Sequence, residues 1–251
     1  MILWSGHDLA MQKDKLYAQM HDQLHAFRFD DAVVDVFPDM IQRSVPNYAT
    51  TLLSIGLLAQ RYVTSGSHCY DLGCSLGGAS LAMGRAIPHQ NYKLFAVDQS
   101  EAMIQRFSKL LGQEFFLSRF ELTCADISNL IISNASIVVL NYTLQFIHLE
   151  QRLALLQTIH AGMNEGGVLV LSEKIHAETK AENKRLIALH EAFKKACGYS
   201  ELEISQKRVA LENVLVPETI SVHRQRLSQA GFSHVEEIMR GFNFVTLLVH
   251  K

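Results

Sequence analysis

The chain has 251 residues, 48% of them apolar, and carries 23 Lys and Arg against 25 Asp and Glu. That is enough apolar material for one sizeable core, and the near-neutral balance lacks the basic excess left by a phosphate-backbone clamp, so direct nucleic-acid binding is disfavoured. The cysteines (Cys69, Cys74, Cys124 and Cys197) form neither a C-x-x-C pair nor a dense framework, and no apolar run is long enough to span a membrane; both point to a soluble protein of a reducing cytoplasm.

In chain order, residues 1–8 (Met1-Ile2-Leu3-Trp4-Ser5-Gly6-His7-Asp8) lack the basic start and long apolar segment of a secretory signal. Residues 1–65 read as a helical cap in which Asp39–Tyr48 opens a helix over Tyr48–Arg61. Such a cap either covers a sheet edge or closes over a ligand. From about Tyr70 to Glu173, short apolar runs alternate with helix-period segments, the pattern of βαβ units around a parallel sheet. The expected strands are His68–Leu72, Tyr92–Val97, Arg119–Thr123, Ser136–Leu140 and Gly167–Leu171; the expected helices are Leu76–Ala86, Ala102–Leu111 and Glu150–Met163. Asn164-Glu165-Gly166-Gly167 reads as a helix stop and a tight turn. Past Glu173 the rhythm changes: residues 176–216 read as a helical insertion, followed by a helix over Glu218–Ala230 and two apolar runs, His234–Ile238 and Phe242–Val249. Adjacent final runs imply an antiparallel pair. Residues 1–251 are therefore read as one domain of α/β class: a Rossmann-like, class I methyltransferase fold. Its sheet is mostly parallel and seven-stranded, with helices on both faces and an antiparallel last strand.

The chemistry-bearing residues sit at the strand ends. The first strand runs into Asp71-Leu72-Gly73-Cys74-Ser75-Leu76-Gly77-Gly78 and then a helix, which sets backbone N–H groups and a helix N-terminus beside a ligand. Gly73 and Gly77 let a ligand touch the backbone. A dinucleotide fingerprint requires G-x-G-x-x-G, whereas this spacing resembles the D-x-G-x-G-x-G of S-adenosylmethionine (SAM) enzymes, with Ser75 at one glycine position. The second strand ends at Asp98, placed to accept both ribose hydroxyls; Gln99 or Ser100 is better placed to cap the next helix. Asp126, ending the third strand, is a candidate adenine contact. Asn141, ending the fourth, is a candidate for the amino-acid portion of the cofactor, while Phe146 is assigned to the core. Gly73-Cys74-Ser75-Leu76-Gly77 has the letters of a G-x-S-x-G elbow and His21 and His25 have the spacing His-x-x-x-His, but there is no paired-Cys site, and no metal and no general base is assigned; His148 and His176 read as surface or core residues.

Four segments, Phe37–Pro46, Tyr70–Gly77, Leu144-Gln145-Phe146 and Gly198–Arg208, closely resemble the bacterial carboxy-S-adenosyl-L-methionine synthase family, with the likeness running over about residues 28–250. The resemblance implies a reaction between SAM and prephenate that yields carboxy-SAM, phenylpyruvate and water. It also implies a homodimer whose product serves a tRNA wobble-uridine carboxymethyltransferase. Carried over by position, Tyr48, Gly73, Cys74, Ser75, Asp98 with Gln99, Asp126 with Ile127, and Asn141 line the cofactor site. Arg208 becomes the clamp for the new carboxylate; without the resemblance it reads as an exposed helical arginine. Arg43, Tyr199 and Lys207 stay open as candidates for the second carboxylate of prephenate. Two other readings share the cofactor loop: a SAM-dependent small-molecule methyltransferase, and a non-catalytic SAM-binding subunit.

Overall fold

The computed structural model describes residues 12–20, 23–112, 114 and 116–251; residues 1–11, read above for a secretory signal, lie outside them. Two helices lead into the sheet: α1 (Asp31–Ser44), capped by the Asp30 side chain, and α2 (Tyr48–Tyr62). The alternating region supplies β1 (Ser67–Leu72), α3 (Gly78–Ala86), β2 (Tyr92–Asp98), α4 (Glu101–Leu111), β3 (Phe120–Cys124), β4 (Ala135–Asn141), α5 (Leu149–Gly162) and β5 (Met163–His176). It is followed by α6 (Lys180–Ala196), α7 (Glu201–Ala210), β6 (Glu218–Thr219), α8 (Ile220–Gln229), β7 (His234–Gly241) and β8 (Phe244–His250).

The sheet order is β3-β2-β1-β4-β5-β8-β7, with the short β6 paired to β5 off this path. Strands β1 to β5 pair in parallel, and β8 inserts antiparallel between β5 and β7. Period-two alternation splits the core between the two faces. Cys69, Ile137, Val139, Val168 and Val170 pack under α2 and α3. Tyr70, Leu72, Val138, Leu140, Leu169 and Leu171 pack with α5 and α8 on the other side. A third cluster, with Phe27, Val33, Met40, Leu76, Met103 and Ala210, fastens α1 to α4 and α7.

The departures from the sequence reading have local causes. Asp39–Tyr48 ends one helix before the next begins: α1 includes Pro38 and stops at Ser44, and Asn47 takes a left-handed φ of 63° before α2. Helix α3 begins at Gly78 because the Gly77 N–H donates to the Cys74 carbonyl at 2.8 Å and Gly77 has φ +78°. Strand β5 is far longer than Gly167–Leu171, because β4, β8 and β6 supply partners along its length. The Asn164–Gly167 turn survives as an excursion within it, facing Ser136 alone between the pairs Ala135–Met163 and Ile137–Val168. Glu218 and Thr219 form β6 rather than the start of a helix, and the Thr219 hydroxyl then caps α8.

Candidate active site

The strand-to-helix turn is built from its own hydrogen bonds. At the end of β1, the N–H groups of Gly73 and Cys74 donate to the Val97 carbonyl at 2.8 and 3.0 Å, tying the turn to β2. Ser75 adopts a φ of 52°, a left-handed conformation that costs a non-glycine residue free energy. It is held there by its N–H, which donates to Asp98 Oδ2 at 2.8 Å. The other Asp98 oxygen accepts from the Ser100 N–H at 2.9 Å, and the Ser100 hydroxyl caps α4. Asp71 closes the turn from below, accepting the Ser80 N–H at 2.8 Å and the Ser80 hydroxyl at 2.5 Å. Burial pushes the Asp71 carboxyl up to about 6, opposed by the two Ser80 bonds, and burial also raises Asp98.

Beyond this turn, at the C-terminal ends of the parallel strands, lies a cavity of about 790 Å³. Open α/β sheets collect ligands at such a crevice. Tyr48, Gly73, Cys74, Ser75, Asp98, Gln99, Asp126, Ile127, Asn141 and Arg208 all line it. Gly77 is not among the lining residues. A Cβ at Gly77 would overlap the Phe107 ring, so this glycine serves packing and the turn rather than close approach of a ligand. At Gly73 a Cβ would overlap the Thr143 side chain. The Asp126 carboxylate accepts the Ser128 N–H at 2.8 Å and caps the 3-10 turn Ile127–Asn129. Phe146, assigned above to the core, lines the cavity and meets Phe29 edge-on at 5.4 Å.

The lining fits SAM. Asn141 Oδ1 is buried and has no hydrogen-bond partner, and a buried acceptor without a donor is costly. An ammonium group supplies such a donor. The Asp98 carboxylate, engaged by one backbone N–H on each oxygen, has further lone pairs for hydroxyls. Tyr48 and Tyr142 bring buried phenols that burial keeps protonated, Tyr142 at about 12 and Tyr48 higher still.

The wall formed by β5, α6 and α7 has the opposite charge. Lys174, Lys194, Lys207 and Arg208 line it, with Glu191 and His190. Arg208 is 63% exposed and donates to Glu191 Oε1 at 2.8 Å. Lys207 pairs with the buried Asp14 at 3.5 Å. Burial, with Lys174 and Lys207 nearby, pushes Lys194 down to about 8; Lys207 is likewise near 8, again chiefly through burial. Sequence reasoning missed Lys174, Lys194 and His190. A usable signal was present in Ile187, His190, Glu191 and Lys194, whose i, i+3, i+4, i+7 spacing marks one helix face. Arg43 and Tyr199, left open above, are held outside the lining: the Arg43 guanidinium bonds Asp39 and the Asp14 carbonyl and stacks over Tyr199 at 3.9 Å. The Tyr199 hydroxyl donates to Asp14 at 2.6 Å.

Among the described residues no group of three or more His, Cys, Asp or Glu is arranged to hold a metal ion, and no helix is long and apolar enough to cross a membrane.

A profile described as "Methyltransferase domain" matches residues 70–167. Curated relatives match over nearly the whole chain. A carboxy-S-adenosyl-L-methionine synthase of Trichlorobacter lovleyi is 53% identical over 97% of this chain and 100% of its own length. Those of Geobacter sp. (strain M21) and Mannheimia succiniciproducens are 50% and 48% identical, over 97% and 96% of this chain and 100% of their own lengths. Among solved structures, human N-acetylserotonin methyltransferase in complex with SAM aligns with a TM-score of 0.58 at 15% identity, covering 88% of this chain and 55% of that one. A riboflavin-derivative dimethyltransferase from Streptomyces davawensis aligns at 0.59 and 16%, covering 88% and 58%. At that identity the likeness establishes the fold alone, and this chain spans little over half the length of those two enzymes.

Proposed function

This chain belongs to the carboxy-S-adenosyl-L-methionine synthase family, and from that premise we propose that prephenate supplies the carboxyl group that is placed on SAM. The observation that carries the reading is the meeting, in one cavity, of a SAM-type turn with four cationic side chains. An enzyme that only moved a methyl group to a neutral acceptor would have no use for them.

The bonds balance without an external oxidant or reductant. Loss of the ring carboxylate and the ring hydroxyl from prephenate restores aromaticity and releases carbon dioxide and hydroxide. The hydroxide takes one proton from the sulfonium methyl group, forming water, and that methyl carbon bonds the carbon dioxide. Phenylpyruvate departs. The part assigned to this chain is to bind, orient and enclose. The turn at Gly73–Ser75, with Asp98 and Asn141, holds SAM; the aromatic surface of Phe29, Phe37 and Phe146 receives the donor ring. Retaining carbon dioxide in a closed space excludes competing water. Arg208 is assigned the new carboxylate, since a guanidinium grips both oxygens at once. Its ion pair with Glu191 is partly exposed and costs little to exchange.

The same reading makes the protein a cytoplasmic homodimer that supplies a tRNA wobble-uridine carboxymethyltransferase. Its four free cysteines suit a reducing compartment. Leu53 and Leu57, one turn apart on α2 and 60% and 56% exposed, suit a subunit contact. The test is to incubate the protein with SAM and prephenate and weigh the products. A species heavier than SAM by one carbon dioxide, formed together with phenylpyruvate, is expected. Methylation of a small acceptor without that species would favour an ordinary methyltransferase, and binding without turnover a non-catalytic subunit.

A further inference from the structure

We propose that Lys174 and Lys194 form a dedicated anion subsite that seats the carboxylate the donor keeps, the 2-oxo-acid carboxylate that leaves in phenylpyruvate. This rests on the donor reading above and adds to it the residues that recognise the untransferred end.

The argument begins with charge. Four cations converge on the wall made by β5, α6 and α7, and two of them are already matched: Arg208 by Glu191 at 2.8 Å, Lys207 by Asp14 at 3.5 Å. Among the described residues, Lys174 and Lys194 are in no ion pair with a carboxylate. The flanking groups offer them little negative charge: Glu191, the carboxylate that acts on both, is already paired with Arg208 at 2.8 Å. His190 is neutral, with burial and three neighbouring lysines pressing it down to about 3, and its Nε2 lies 2.8 Å from the Ser44 carbonyl. Glu173, next to Lys174 in sequence, points to the opposite face of β5 by strand alternation. There its fully buried carboxyl is raised well above the usual range by desolvation.

Two partly buried ammonium groups that share only a carboxylate already paired with Arg208 are under-compensated unless a ligand supplies further negative charge. Burial pushes both lysines down, partly offset by Glu191. Position agrees with charge. Lys174 lies two residues beyond Ser172, the ladder partner of Asn141, and its N–H is fixed by Gln145 Oε1 at 3.0 Å. Lys194 comes from the cavity face of α6, one turn beyond His190. The subsite therefore flanks the SAM-side residue Asn141 by one strand, and Arg208 remains free for the carboxylate that is transferred.

The test uses the full chain with Lys174→Gln, Lys194→Gln and Lys194→Arg. Phenylpyruvate is the binding probe, prephenate the substrate, and SAM affinity the control for folding. Each Gln variant should weaken phenylpyruvate and raise the prephenate KM by about tenfold or more, the effect of removing a charge-assisted bond. SAM affinity should stay within about threefold, and Lys194→Arg should restore most of the loss. Wild-type phenylpyruvate affinity and prephenate KM in variants that still bind SAM would overturn the subsite while leaving the donor reading standing. The converse is also readable: if the wild type fails to turn over prephenate yet the Gln variants lose phenylpyruvate, the subsite holds and the donor is misassigned. Should Lys174→Gln fail to fold, the Lys194 pair, on an α6 face rather than in the sheet, decides the matter alone.

Discussion

Replacing Arg208 with Ala should separate the two forms of the cofactor. The guanidinium pairs with Glu191, and with the partners 63% and 29% exposed that pair contributes about 0–1 kcal/mol. A charge-assisted bond from Arg208 to the new carboxylate contributes about 1.5–3 kcal/mol. After the Glu191 contact is given up, about 0.5–3 kcal/mol of selective binding remains, which is ~2- to 160-fold in Kd. SAM carries no carboxylate on its sulfonium methyl and should bind the variant within about twofold of wild type. Folding stability should change by no more than about 1 kcal/mol, because the lost ion pair is superficial. Isothermal titration of SAM and carboxy-SAM against both proteins reads all of this. Equal weakening of the two ligands would show that Arg208 shapes the site generally rather than gripping the transferred group.

The turn and its supports make further predictions. Gly77→Ala combines a φ of +78° with overlap on the buried Phe107 ring and should cost about 2–5 kcal/mol. Gly166→Ala, at a φ of +76° with open space around it, should cost only the conformational part, about 1–2 kcal/mol. Denaturant melts compare them, and equal losses would remove Phe107 from the explanation. Arg152 is fully buried, pairs with Glu218, and donates to the carbonyls of Gln145 and Ile147, which line the cavity, and of Val216. Arg152→Met should destabilise by about 3–5 kcal/mol, and a loss under about 1 kcal/mol would mean water replaces the guanidinium. Donor affinity should also depend on pH. Lys194, near 8 among Lys174, Lys207 and Arg208 with only Glu191 opposing, binds an anion in its protonated form. The prephenate KM should therefore rise as pH climbs through about 8 while SAM affinity stays flat; Lys194→Arg should flatten that limb, and a limb unchanged in this variant would assign it elsewhere.

Much of the fold was readable because parallel strands buried on both faces appear as uninterrupted apolar runs, as at Ile137–Leu140. The cofactor turn was readable because Asp71, Gly73 and Asp98 each answer a local demand of a strand end. Where the reading failed, the deciding contact lay far along the chain. Gly77 looked like a ligand contact, yet the atom excluding its side chain belongs to Phe107. Phe146 looked like core until Phe29, from the segment before α1, met it across the cavity. The cationic wall was harder still: Lys174 lies near the end of a strand whose length depends on β6 and β8, and Lys194 comes to the same wall from a helix. Lys174 has no local sequence signature, since a lone lysine beyond an apolar run reads as solvated, and Lys194 has only the helix-face spacing it shares with Ile187, His190 and Glu191. Arg43 illustrates the converse, a plausible anion ligand that Asp39 and the Asp14 carbonyl had already taken.

The most direct test of the central claim follows the carboxyl carbon. Prephenate labelled with carbon-13 in its ring carboxylate is turned over with unlabelled SAM in buffer containing natural-abundance bicarbonate. Retention of carbon dioxide within the cavity predicts that the label appears in the new carboxyl group of the product at the enrichment of the donor. Product carrying carbon from the bicarbonate pool instead would contradict capture within the closed site.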